Sequence, residues 1–190
     1  MYTNPYSIAK TIVHLLNLYS EHLNGVISKY QSRRKLTILT GMRKVVPVSS
    51  YPVLEIEATD ASDEWATTRG QRPTYNFKLT LTLKCEKEEL GLEYICTLTT
   101  EIVRILTSPQ NIQLPVEGQQ RFSPDGEVVP TYIMDGLVDN VTYALSRDGT
   151  TRRSEFNLWT KVHEPYPDIF FKKGSVLEGI PSADGNSNGN

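Results

Sequence analysis

The segment Asn76–Thr107, NFKLTLTLKCEKEELGLEYICTLTTEIVRILT, decides the fold. Its first part alternates, because apolar residues at 77, 79, 81, 83 and 85 are separated by polar ones. A period of two places one apolar and one polar face on a β-strand. The period then changes, because Ile95, Leu98, Ile102 and Ile105 recur at the spacing of one face of an α-helix. The segment therefore predicts a strand covered by a helix on one face, with the other face left for a partner.

The composition is that of one folded domain. The chain has 190 residues, 22% of them charged, and a formal net charge of −2. This length can bury a core without disulfides, and this charge gives no basic field that would recruit nucleic acid. Cys85 and Cys96 both fall on predicted apolar faces, which favours free thiols over a disulfide. No stretch approaches the roughly 20 apolar residues of a membrane span, so we expect a soluble protein without membrane association.

One long helix and two strands are predicted before the deciding segment. Apolar residues recur at helical spacing from Ile8 to Tyr30, which predicts a single helix of six turns. Leu36–Thr40 and Val45–Ala58 are predicted strands. Because Pro47 and Pro52 cannot donate to a ladder, we expect this region at a sheet edge or at a bulge.

Residues 59–74 predict a long loop, because they are polar and show no periodicity. Long loops in compact domains are usually functional or disordered. Trp65 in this stretch has two interpretations, an exposed interface anchor or a side chain folded back over the sheet edge. Arg69 and Arg72 form one of several small basic groups in the chain.

A closing hairpin is predicted after the helix. Leu137, Val141, Tyr143 and Leu145 would share one side of its first strand, and apolar positions 156, 158 and 162 one side of the second. Asp148-Gly149 marks the turn. A two-residue turn pairs Val141 with Phe156, and a four-residue loop shifts the pairing by two, so the same faces meet either way.

The predicted domain comprises residues 1–173, and residues 174–190 form a flexible polar tail. The last part of the domain is a short amphipathic stretch in which Ile169, Phe170 and Phe171 are expected to dock against another surface. The predicted fold class is α+β, with a mixed or antiparallel sheet packed by the N-terminal helix and by a second amphipathic helix.

No pattern in the chain predicts catalysis, a metal site or a cofactor. His14 and His22 are two helical turns apart, and His163 ends a strand beside Glu164. The chain has no glycine-rich phosphate loop and no nucleophile motif. We therefore expect an assembly component and no enzyme.

The order of elements resembles the tail terminator (tail completion) proteins of long-tailed bacteriophages, the group that includes the lambda tail terminator. The resemblance covers about residues 4–163. It is carried by the opening helix, the 52–56 strand, and the strand 75–83 that runs into the helix 92–106. Residues 59–74, 110–135 and 164–190 depart from the smaller members as additions, so no residue role is transferred from the family.

The resemblance implies a structural protein of the virion, assembled in the host cytoplasm. Such proteins form a hexameric ring on the last ring of the tail tube and join it to the neck or connector protein of the head. A ring also multiplies each small basic group, so its lumen could pass DNA without reading its sequence. Two alternatives stay open: another neck or connector protein, or a small enzyme or ligand-binding domain with an unrecognised pocket.

Two hypotheses about partner surfaces follow. The first places the 59–74 loop and the C-terminal tail against adjacent rings, with Trp65 and Phe170 or Phe171 as anchors. The second places the outer face of strand 76–86 at a subunit boundary. The predicted interface residues are Trp65, Arg69, Arg72, Lys78, Lys84, Phe170 and Phe171.

Overall fold

The structure, a computed structural model, describes residues 3–41, 51–62, 65–67, 70–122, 128–146 and 149–165. These residues form four helices and eight strands. In chain order they are α1 (Pro5–Leu18), α2 (Ser20–Ser28), β1 (Thr37–Thr40), β2 (Val53–Ser62), β3 (Trp65–Thr67), β4 (Gly70–Gln71), β5 (Thr74–Lys84), α3 (Glu88–Thr107), α4 (Pro109–Ile112), β6 (Pro115–Phe122), β7 (Val128–Leu145) and β8 (Thr151–Pro165).

Six strands form one mixed sheet in the order β1-β2-β5-β8-β7-β6. The first pair, β1 and β2, is parallel, and the other neighbours are antiparallel. The short strands β3 and β4 form a ribbon that joins the end of β8. The predicted α+β class with a mixed sheet is therefore confirmed.

The deciding segment folds as predicted into β5 and α3. The alternating residues Phe77, Leu79, Leu81 and Leu83 are fully buried, and the α3 residues Ile95, Leu98 and Ile102 belong to the same apolar core. Removing this apolar surface from water is the main force that holds the helix on the sheet. Cys85 and Cys96, which were predicted to lie on the apolar faces of the strand and of the helix, are free thiols and are only partly buried.

The sheet curves around α1. This helix begins at an N-cap, Asn4, whose side chain accepts from the Tyr6 amide, and Pro5 takes the first helical position. Along its length α1 contacts β1 and β2 near one end of the strand order and β6 at the other. A flat sheet could not touch one helix from both ends, so the sheet forms a half-barrel with the helices on its inner face.

The prediction of one helix from Ile8 to Tyr30 is wrong, because the helix breaks at Tyr19. The Tyr19 amide donates to the Leu16 carbonyl three residues back, at 3.2 Å, which tightens the last turn and redirects the chain. The Tyr19 hydroxyl donates to the side chain of Asn111 in α4. A hydrogen bond between residues far apart in the chain thus stabilises the break. The helical spacing of apolar residues from Ile8 to Tyr30 does not reveal it.

The predicted loop at 59–74 is also wrong in extent. β2 continues to Ser62, and after a bulge between Ala58 and Asp60 it pairs with the first residues of β5. Residues 58–62 are exposed, so this end of β2 has no buried face to impose a period of two. Pro52 directly precedes β2, which is an inner strand, so of the two predicted alternatives for this region it is the bulge that occurs, between Ala58 and Asp60.

The closing hairpin is present, but its pairing register shifts by one residue partway along the strands. Near the turn Tyr143 pairs with Ser154, whereas further along Val138 pairs with Leu158, because a bulge lies between Asp139 and Thr142. Asn140, within the bulge, has a φ of 52°. The extra residue in the bulge turns the residues beyond it to the opposite face of the strand. The prediction that Leu137 shares a face with Tyr143 is therefore wrong.

Several predictions fall outside the described residues. They are the turn at 123–126, residues 42–50 of the strand region, the stretch with Phe170 and Phe171, and the tail 174–190.

Two helical glycines provide a test of the contact between α3 and β8. A Cβ on Gly91 would lie 3.1 Å from Cys85 Cβ and 3.2 Å from Arg152 Nε, whereas a Cβ on Gly25 would meet nothing within 4 Å. We expect Gly91→Ala to destabilise the protein by about 1–3 kcal/mol through overpacking. Gly25→Ala, the matched control, should stabilise it by about 0.5–1 kcal/mol. Urea unfolding measures both, and equal effects would contradict the close packing.

Candidate interaction surfaces

The outer face of the sheet, opposite the helices, carries an ion network at its centre. Lys78 Nζ lies 2.8 Å from Glu155 Oε2, and Arg153 Nη2 lies 2.7 Å from Glu155 Oε1. The hydrogen bond from Lys78, helped by the Arg153 charge, lowers the pKa of Glu155 against the opposing effect of burial. Beside this network Trp159 Nε1 donates to Asp139 Oδ2 at 3.1 Å. Lys78 therefore lies on a polar, partly exposed face, as predicted.

Lys84 lies on the same face of β5 as Lys78, but at the end of the strand, where it lines a cleft of about 460 Å³. Its lining includes Tyr30, Gln31, Arg34, Tyr51, Lys84 and Lys87. Gln31 Nε2 donates to the Lys84 carbonyl at 2.6 Å, and the Tyr30 ring stacks on Tyr94 with centroids 4.7 Å apart. Burial raises the pKa of Tyr94. The two lysines thus share one face of β5 and differ in their neighbours, and their role at an interface stays a prediction.

Arg72 lies at the opposite end of the sheet, beside a buried polar cluster. Glu164, 2% exposed, accepts from the Thr3 amide at 2.6 Å, and the Tyr75 hydroxyl lies 3.0 Å from the same oxygen. The His163 ring lies against Tyr132, with the two rings tilted by 46°, and burial together with the nearby Arg72 charge lowers the pKa of His163. This cluster ties the N-terminal residues to β5 and β8, so it has a structural role.

A third surface is an apolar groove of about 170 Å³ between the start of α3 and the end of β7. Its lining includes Leu92, Ile95, Tyr143, Leu145, Glu88 and Arg152. Leu92, Tyr143 and Leu145 are 54%, 45% and 50% exposed. Tyr143 reaches toward Cys96, and burial with that thiol raises the pKa of Tyr143. We call this surface the α3–β7 groove.

Sequence reasoning missed this groove. The signal was present in Leu92, which lies outside the buried α3 stripe, and in Tyr143 and Leu145, which were predicted only to share one side of a strand. Exposed apolar residues gathered at one place are typical of an interaction site.

The remaining predicted interface residues are less fully described. Trp65 is the first residue of β3 and pairs with Gln71 through the backbone, but its side chain is not among the parts of the chain that the structure describes. Arg69, Phe170 and Phe171 lie outside the described residues. Their roles at an interface stay predictions.

Helix α3 also carries a charged network toward α2. Glu101 Oε2 lies 2.8 Å from His22 Nε2 and 2.7 Å from Arg104 Nη2. The hydrogen bond with His22, followed by the effects of Arg104, lowers the pKa of Glu101. Such exposed networks contribute little to stability, so Arg104 supplies a suitable control position for charge reversals.

In the described part of the chain, no three histidine, cysteine or carboxylate side chains lie close enough together to hold a metal ion. None of the helices described there is long and apolar enough to span a membrane.

Comparison with known proteins gives only loose similarity of fold. No family model matches the chain, and no curated protein matches it. One chain in a structure described as the virion of a native gene transfer agent (GTA) particle matches 86% of this chain and 99% of its own length, at 7% identity and a TM-score of 0.48. A second solved chain, which bears only a sequence identifier as its name, matches 78% of this chain and 98% of its own length, at 13% identity and a TM-score of 0.38. No functional argument rests on similarities of this size.

The buried cluster at Glu164 is testable by removing one hydroxyl. Tyr75→Phe should lower the free energy of unfolding by about 1.5–3 kcal/mol, the range for a hydrogen bond to a charged group. The matched control is Tyr6→Phe, because Tyr6 is half exposed, and its change should stay within about 0.5 kcal/mol. Thermal or urea unfolding gives both values. A neutral Tyr75→Phe would show that the Tyr75 hydroxyl contributes nothing to the cluster.

Proposed function

We propose that this protein is a non-catalytic structural subunit of a virion, a tail terminator whose hexameric ring caps the tail tube and joins it to the neck. The proposal combines the element order that resembles this family with the surfaces of the folded domain. The opening helices, the alternating strand β5, the covering helix α3 and the closing hairpin occur in the expected order.

The single observation that carries the proposal is the presence of two unlike surfaces on one curved domain. The outer sheet face is polar and centred on the Lys78–Glu155 pair, whereas the α3–β7 groove is apolar. Surfaces of such different chemistry are poorly suited to a two-fold contact, in which each patch meets its own copy. They suit a head-to-tail contact, which closes into a ring when the rotation between copies is right.

The placement of helices supports the same function. The described helices pack on the inner face, so the outer face of β5 and β8 is left for a neighbour. Within the described residues, β1 and β6 each pair on one side only, which leaves two strand edges. Such edges are ready to pair with another chain. In the ring, the outer face lies at a subunit boundary, and the tube protein and the neck protein bind the ring's two ends.

The cleft at Lys84 favours one alternative, a ligand-binding domain, because three cationic side chains and two tyrosines line a concave space. That alternative predicts a monomer that small anionic metabolites stabilise against heat. A different neck protein would form a ring as well, and its place in the particle separates it from a terminator.

The mass of the protein in solution tests the ring. Light scattering should give six times the chain mass of 21.5 kDa. Lys78→Glu places a second negative charge beside Glu155 and alters the outer face, so it should shift the equilibrium toward smaller species and change its dependence on salt. Lys84→Glu tests the cleft end of the same strand.

Arg104→Glu is the matched control, because it also reverses a cation paired with a glutamate but lies on α3. It should keep the wild-type mass. Wild-type protein that stays monomeric at high concentration would overturn the ring. A ring whose size and salt sensitivity are unaffected by Lys78→Glu and Lys84→Glu would show that the boundary lies elsewhere.

A further inference from the structure

The α3–β7 groove has the chemistry of a peptide-binding site. Leu92, Tyr143 and Leu145 form an exposed apolar surface beside the buried Ile95. A few exposed aromatic and aliphatic residues around a concave site are the usual anchors of a binding interface. An occupant should therefore bring apolar side chains of its own.

The groove also contains a buried cation. Arg152 is 3% exposed, and its guanidinium donates to the Gly149 carbonyl at 2.8 Å and to the Glu88 carbonyl at 3.4 Å. Among the described residues no carboxylate pairs with it. A guanidinium has five N–H donors and binds carboxylates strongly. The groove therefore suits a segment in which an acidic residue adjoins apolar ones.

A segment with this chemistry follows β8 in the chain, Asp168-Ile169-Phe170-Phe171-Lys172-Lys173. Asp168 matches Arg152, the three apolar residues match the apolar wall, and the lysines match Glu88 and Glu89 in the first turn of α3. Both charged ends and the apolar centre of the segment thus have complements at the groove.

The segment cannot reach the groove of its own subunit. It follows Pro165, the last residue of β8, whereas Arg152 lies at the other end of that strand. Thirteen residues of β-strand separate the two by about 43 Å along the strand, at roughly 3.3 Å per residue. The three residues from Pro165 to Asp168 span at most about 11 Å. A second copy must therefore supply the segment.

We propose that residues 168–173 of one copy bind in the α3–β7 groove of a neighbouring copy, with Asp168 on Arg152 and Phe170 and Phe171 against Leu92, Tyr143 and Leu145. The inference rests on the proposed ring, because it needs a second copy beside the first. It assigns the contact to a linear segment that links successive subunits.

A labelled peptide of residues 166–175 tests the contact. It is titrated into the full chain carrying Phe170→Asp and Phe171→Asp, whose groove is free of its own segment. Fluorescence anisotropy should show saturable binding, and adding Leu145→Asp should weaken it at least tenfold. Adding Leu18→Asp, the control at another exposed leucine at the end of α1, should leave it unchanged. An absence of saturable binding, or equal weakening by both substitutions, overturns the contact.

Disulfide trapping tests that the segment comes from a second copy. A chain with Leu145→Cys mixed with a chain with Phe171→Cys should give a covalent dimer on oxidation. A chain carrying both substitutions that closes the bond within itself overturns the exchange between copies. A wild-type chain that forms the ring, together with a Phe170→Asp, Phe171→Asp chain that fails to bind the peptide, overturns this contact and leaves the ring standing. A wild-type monomer that binds the peptide overturns the ring and leaves the contact.

Discussion

The packing of β5 against α3 is the interaction on which the rest of the structure depends. The inward residues Phe77, Leu79 and Leu81 are completely buried, and they meet a helix whose apolar stripe is equally buried. β5 also lies between β2 and β8 and pairs with both over most of its length. Losing this contact would therefore expose the core and remove the support of the hairpin at once.

The one-sided packing has a consequence for function. Because α1, α2 and α3 share the inner face of the half-barrel, the outer face keeps a charged network that no described helix covers. The hairpin extends past the start of α3, where it forms the groove with Leu92. Two unlike surfaces on one rigid support are what a head-to-tail assembly requires.

The sequence predicted the elements whose faces are buried on one side. β5, α3 and the inward face of β8 follow their periods, because burial selects apolar residues at fixed spacing. Three features were not predicted, since none of them changes the spacing of apolar residues in a recognisable way. They are the break at Tyr19, the exposed end of β2 at residues 58–62, and the bulge near Asn140. Contacts between distant residues, and strand pairing on an exposed surface, change the pattern of apolar residues in a single sequence only slightly.

The candidate surfaces were predicted less well than the fold. Lys78 and Lys84 lie on the polar face of β5 as predicted, Lys84 at the end of the strand where it lines the cleft, whereas the position of Arg72 beside the buried cluster was not predicted. The groove was missed because Tyr143 and Leu145 have the same alternate spacing whether their side of the strand is buried or exposed. Periodicity identifies an apolar face but not whether the protein itself covers that face.

The central claim is that the chain is a ring subunit at the end of a tail. Electron microscopy of intact particles, with the chain marked by a small fused tag, tests it most directly. Tag density is expected in a single ring of six copies at the junction between the tail tube and the neck. Density on the head shell or along the length of the tube, or particles that lack the chain altogether, would contradict it.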